Sequence, residues 1–338
     1  MIAPHLGAVR PEVRVGPKVG TDCAIVGLGA GRVMAITTDP LSIVPALGLE
    51  LSAQLSCHLL ASDLWTSGIA PAYVSLGFHL PPSFRDEDFE VYWEAMSAEW
   101  ARLEVAVVGG HTGRYTGSDS SIVGAGTLIG VGDEERYVTP SMASLGDVVI
   151  VTKGCAIEAT AIAARLFPRR LAALLDAPGM ERARDLVRQV TVVPDCRAAL
   201  RVGVRDRGVS ALHDATEGGV LGGLLELARA CGHDLRVEQA QIPLSPEARA
   251  ACEAYGGIDP YWTLSEGTLL ATASPKRASR VLAALSDEGI PAAAVGEVVP
   301  GSGRLWLGSR DGIVRGIDEP EPDPYWAAYQ RAVSEGWS

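Results

Sequence analysis

The 338-residue sequence predicts a mixed α/β protein of two domains. Three observations predict it. Hydrophobic residues make up 47% and charged residues 21%, enough apolar side chains to fill packed cores. Strand-like runs alternate with segments of helical period along most of the chain. The pattern restarts at Gly146-Asp147, which predicts a first domain over 1–146, a second over 147–305 and a tail over 306–338.

The elements follow in order. Residues 21–40, TDCAIVGLGAGRVMAITTDP, read as two short strands around a turn at Gly27, Gly29 and Gly31. Over 41–62 the period changes: Leu47, Leu51, Leu55 and Leu59, widened by Ala53 and Leu60, make a helical stripe. Residues 72–80 alternate as a strand, and 83–103 form a helix whose acidic start suits the helix dipole. Leu103–Val108 reads as a buried strand that stops at Gly109-Gly110, and 121–131 as another strand. Beyond the boundary come strand 148–152, helices 155–166 and 181–190, strand 208–212, helix 217–230, strands 234–238 and 267–273, and helix 275–288. The end, EPEPDPYWAAYQRAVSEGWS, reads as a proline-stiffened linker and a short helix.

A net charge of −12 argues against nucleic-acid binding, which needs a basic surface. It leaves a nucleotide ligand open, because a divalent cation can bridge carboxylates to phosphates. No run reaches the length of a membrane span, and the start MIAPHLGAVRPEV has no long apolar stretch of a signal peptide. The six cysteines form no C-x-x-C pair. These features predict a reduced, soluble, cytoplasmic protein that contacts neither membrane nor nucleic acid.

Several residues could carry chemistry. Asp22 follows a glycine, Asp39 follows Thr37-Thr38, and Asp63 sits in ASDLWTSGIAP at the end of the first predicted helix. A carboxylate there faces the negative pole of the dipole, and a cation such as magnesium would relieve it. Taken singly, each of the three also fits a turn aspartate. In VVGGHTGR, Gly109 and Gly110 would let backbone N–H groups approach an anion, with His111 and Thr112 as side-chain donors; a plain tight strand exit reads the same way. Lys153 follows a buried strand, where it could meet a phosphate or stay solvated. In HDATEGG, Asp214 or Thr216 could cap the next helix, and the glycines at 218, 219, 222 and 223 point to close packing or a ligand. Glu266, in Ser265-Glu266-Gly267, could be a general base or a solvated turn acid.

In order, GTDCA, TTDP, ASDLWTSGIAP, GGHT, GDVVIVTKG, HDATEGG and SEGTLL resemble the AIR synthase-like superfamily. The likeness covers about residues 15–300 and is nearest to the HypE-like, AIR-synthase-related branch. It implies an ATP site in a cleft between two α/β domains, and a homodimer whose N-terminal strands build a shared β-barrel. It also implies phosphorylation of an amide, carbamoyl or phosphate oxygen. By motif, Asp22, Asp39 and Asp63 would hold magnesium and the ATP phosphates. Gly109, Gly110 and Thr112 would lie on the phosphate side, with Lys153 and Asp214 also at the nucleotide. His111 and Glu266 are the candidates for catalysis.

The sequence departs from the family at four motif positions. Thr21 replaces the first aspartate of Gly-Asp-Asp, and Ser62 the asparagine before Asp63. His111 replaces a loop acid, and Gly113 a lysine. HypE itself ends in a cysteine that carries a carbamoyl group, whereas this sequence ends Glu-Gly-Trp-Ser and its last cysteine is Cys252. Cyanide-ligand synthesis on its own tail is therefore not expected. The alternative to an enzyme is an ATP-binding regulatory or partner-binding protein with little turnover, in which Tyr325-Trp326 of the tail would dock a partner.

Overall fold

A computed structural model describes residues 6–44, 47–119, 121–309, 312 and 314–338. The chain divides into two compact units. One comprises the chain up to Lys18 and Asp22–Tyr137; the other comprises Val19–Thr21 and Val138–Ser338.

The N-terminal unit is built on an open six-stranded sheet. Its strands are β1 (Val13–Val15), β2 (Ala24–Gly29), β3 (Arg32–Ser42), β4 (Pro71–Leu80), β5 (Ala106–Arg114) and β6 (Ile122–Asp133), in the order β1-β2-β3-β6-β4-β5. All pairs are antiparallel except β4 with β5. Helices α1 (Leu49–Thr66) and α2 (Asp86–Arg102) pack on each other, and α1 lies on β3. Period-two alternation turns Val74, Leu76, Phe78 and Leu80 of β4 inward, while Tyr73 and His79 face out. Tyr92, Met96 and Trp100 of α2 are fully buried, each worth roughly 1.5–3 kcal/mol of apolar burial.

Two expectations change here. The first helix starts at Leu49, because β3 runs on to Ser42 in register with β6; residues 45–46 of the predicted span lie outside the described residues. The strand expected to be buried and to stop at Gly109-Gly110 instead runs through both glycines to Arg114 and is exposed along most of its length. Its place at the sheet edge explains the exposure. Gly110, at φ +152°, is needed for strand pairing: a Cβ there would lie 2.1 Å from Leu76 O on β4.

The C-terminal unit carries a seven-stranded sheet. Its strands are β7 (Val148–Thr152), β8 (Val209–Ala215), β9 (Asp234–Glu238), β10 (Thr268–Ala273), β11 (Ala292–Val299), β12 (Leu305–Gly308) and β13 (Val314–Ile317), in the order β13-β12-β9-β11-β7-β10-β8. Around it lie α3 (Ile157–Leu166), α4 (Pro168–Leu171), α5 (Ala177–Asp185), α6 (Val193–Leu200), α7 (Gly219–Cys231), α8 (Pro246–Ala254), α9 (Pro275–Asp287) and α10 (Pro324–Ser334). The sequence reading lacked β11, which is alanine-rich yet central to the sheet, and the short helices α6 and α8. Residues after 305 complete the unit. β12 and β13 extend its sheet, and Tyr325, Ala328 and Ala332 of α10 are buried beside Tyr255 and Phe167. Tyr325 is thus a core residue, while Trp326 is 46% exposed.

Candidate functional site

In the N-terminal unit Cys23, Thr37 and Asp63, from the motifs GTDCA, TTDP and ASD, meet. Asp63 sits in the last turn of α1, and its Oδ2 accepts a hydrogen bond of 2.9 Å from Thr37 Oγ1. The Cys23 thiol donates to the backbone oxygen of Asp63, also at 2.9 Å. The register explains the meeting. Ala24 of β2 pairs with Ile36 of β3, so Cys23 and Thr37 are neighbours at the rim of the pair. Asp39 lies two residues beyond Thr37, which places it on the same face of β3. Asp22 is the residue before Cys23. Asp22, Asp39 and Asp63 are each only partly exposed. Asp39 and Asp63 stand on regular elements, and a hydroxyl donor orients the Asp63 carboxylate.

The glycine segment stands elsewhere in this unit. Gly109, Gly110, His111 and Thr112 line a groove of about 410 Å³ with Phe78, Phe89 and Trp93. His111 is exposed, and its Nε2 is 3.0 Å from the Tyr115 hydroxyl.

In the C-terminal unit, TKG, HDATEGG and SEG also come together. Ser265 N donates to Thr216 O at 3.2 Å. Gly154 O accepts from Ser265 Oγ at 3.3 Å and from Thr268 Oγ1 at 2.5 Å. Glu266, between these contacts, is 2% exposed, so it is a buried acid and not a solvated one. Asp214 is 3% exposed and lies within β8, which runs past the expected end at His213-Asp214 to Ala215. Neither Asp214 nor Thr216 caps α7. The Gly218 N–H at its start donates 2.9 Å to Oδ2 of Asp323, from the tail. His213 Nε2 lies 3.0 Å from Glu226 Oε2 on α7.

Lys153 is neither solvated nor turned toward an open anion site. Its ammonium donates to Thr191 O at 2.7 Å, Asp195 Oδ2 at 2.8 Å and Gln189 O at 3.4 Å, which takes up its three protons. The sequence reading missed Asp195, Thr37, Cys23 and Asp323 as partners. Thr37 and Cys23 stood inside quoted motifs; Asp195 gave only the Pro-Asp signature of a helix start.

Comparisons with known proteins match both units of the chain. Residues 20–131 match the AIR synthase related protein N-terminal domain, and residues 145–307 its C-terminal domain. The chain belongs to the AIR synthase related family, on its HypE-like branch. It is 28% identical over 294 residues to the carbamoyl dehydratase HypE of Bradyrhizobium diazoefficiens, covering 83% of this chain and 78% of that protein. The fold superposes on E. coli HypE with a TM-score of 0.72 and 25% identity, over 94% and 95% of the two chains. It superposes on a hydrogenase maturation protein HypE in complex with ATP with a TM-score of 0.66 and 20% identity, over 96% and 91%. No helix among the described residues is long and apolar enough to cross a membrane.

Proposed function

We propose that this protein is a magnesium- and ATP-dependent enzyme that activates an amide or carbamoyl oxygen of a small molecule by phosphorylation. The observation that carries this reading is the convergence of Cys23 and Thr37 on Asp63, which gathers the acid-bearing motifs of the N-terminal unit. In this reading Asp22, Asp39 and Asp63 hold the magnesium, whose charge neutralises the phosphates and polarises the phosphoryl group. Gly109, Gly110 and Thr112 offer donors on the phosphate side, and Asp214 lies at the nucleotide. Glu266, a buried carboxylate, takes a proton from the amide nitrogen as the carbonyl oxygen attacks, and His111 orients the substrate. The γ-phosphoryl group passes to that oxygen as its bond to ADP breaks. Likeness to HypE proteins, one of them solved with ATP, supports the nucleotide and the oxygen chemistry.

Two further assignments belong to this reading. The exposed edge strand β5, with Val107 and Val108 at 40% and 59% exposure, suits pairing with a second copy into a shared barrel. A cytoplasmic location suits six cysteines, none of them in a disulfide.

A thermal-shift titration tests the core of the proposal. ATP with magnesium should raise the melting temperature of the wild type, and Asp39→Asn should abolish the rise. An equal rise in both proteins would remove Asp39 from the site. Release of ADP on adding a carbamoyl or amide compound then tests the chemistry. A second reading, ATP binding with little turnover, is favoured by Lys153, which is bonded inward, and by the exposed His111 where the family carries an acid. Tight Mg-ATP binding without ADP release under any such compound would select it.

A further inference from the structure

We propose that Gln189 O, Thr191 O and the Asp195 carboxylate form a monovalent-cation cage in the C-terminal unit, and that the ammonium of Lys153 is the cation this chain keeps in it. The donors are two backbone carbonyls and one carboxylate, at 3.4, 2.7 and 2.8 Å from Nζ. An ammonium and a potassium ion are similar in size and favour the same carbonyl-type oxygens. The cage is closed to solvent: the side chains of Lys153 and Asp195 are 6% and 1% exposed. Asp195 Oδ1 is also buried and has no hydrogen-bond partner, so the carboxylate has more acceptor capacity than one N–H satisfies.

Contacts other than those of the lysine also hold the oxygens in place. Gln189 ends a 3-10 turn over Leu186–Gln189, and Asp195 lies in the first turn of α6. The Val193 N–H donates to Thr191 Oγ1 at 3.2 Å. Gly267, at φ +102°, sits so close that a Cβ would lie 2.1 Å from Gln189 O. The glycine of the SEG motif thus serves this wall.

Lys153 is bent to reach the cage. Its φ is +56°, a conformation that side-chain-bearing residues rarely adopt. Its own N–H bonds Pro291 O at 2.7 Å, and the next carbonyl, Gly154 O, is held by Ser265 and Thr268. The ammonium therefore ties the end of β7 and the SEG loop to segment 189–195. It acts as an internal counter-ion and not as a phosphate ligand.

The test uses full-length Lys153→Ala and needs no nucleotide, so it is independent of the proposed enzymatic role. Melting temperatures are compared in choline, sodium, potassium and ammonium chloride at equal ionic strength. The wild type should melt alike in all four. In choline the variant should melt about 10 °C lower, as expected for a buried charge left without its partner. Potassium or ammonium should restore at least half of that loss. Lys153→Ala/Asp195→Asn, which removes the cage charge, should show no cation preference. A variant that melts like the wild type in choline, responds equally to all salts or stays unfolded in ammonium would overturn the proposal. So would a double variant that keeps the cation response.

Discussion

The Thr37 hydroxyl donates to Asp63 Oδ2 across 2.9 Å, joining the middle of β3 to the last turn of α1. Thr37 is buried, at 6% exposure, so this hydrogen bond to a charged group is sheltered from water. Thr37→Val keeps the shape and removes the donor. It should cost about 1–3 kcal/mol in urea unfolding and weaken Mg-ATP binding. Unchanged stability and unchanged affinity together would show that Asp63 does not depend on this contact.

Gly110→Ala separates the two readings of the Gly-Gly segment. If the glycine serves strand pairing, alanine must push β4 and β5 apart at Leu76 O. The variant should lose roughly 2 kcal/mol or more with no nucleotide present, measured by thermal unfolding of the ligand-free protein. A variant as stable as the wild type that fails only in ATP binding would assign Gly110 to the ligand alone.

Glu158, in the first turn of α3, gives a pH prediction. Burial, with Glu217 and Asp323 adding to it, pushes its carboxyl from 4.5 up to about 8. The folded protein therefore binds this proton more tightly than the unfolded chain does. The penalty is absent below pH 4.5 and grows as pH rises toward 8. Glu158→Gln should match the wild type at pH 4.5 and become progressively more stable than it toward pH 8. Denaturant curves with the same difference at both ends of that range would contradict the assignment.

Asp234 anchors the loop that leads into β12. Its Oδ1 accepts from the N–H groups of Ser302, Gly303 and Arg304 at 2.7, 3.0 and 2.9 Å, and its Oδ2 from Trp306 Nε1 at 2.8 Å. Asp234→Ala would strand these donors in a largely buried site. It should cost about 3 kcal/mol or more, and hydrogen exchange of those amides should rise before that of β7. Retained protection would mean that water replaces the carboxylate.

The sequence by itself determined the class of fold, the strongly periodic helices and the order of motifs that marks the family. Local patterning suffices for these, since a period of two or near four fixes which face is apolar. It also marked Asp22, Asp39 and Asp63 as candidate acids, because each sits in a motif of its own. Tertiary structure alone decided what those side chains meet. Whether β5 is buried depends on its place at the sheet edge, and β11 lies at the centre despite a composition that suits a helix. Lys153 finds Asp195 from 42 residues away along the chain, and Asp323 reaches Gly218 from 105. No local pattern encodes such pairs: they form because packing the sheet and helices brings distant backbone and charge into one water-poor volume, where polar groups must find partners.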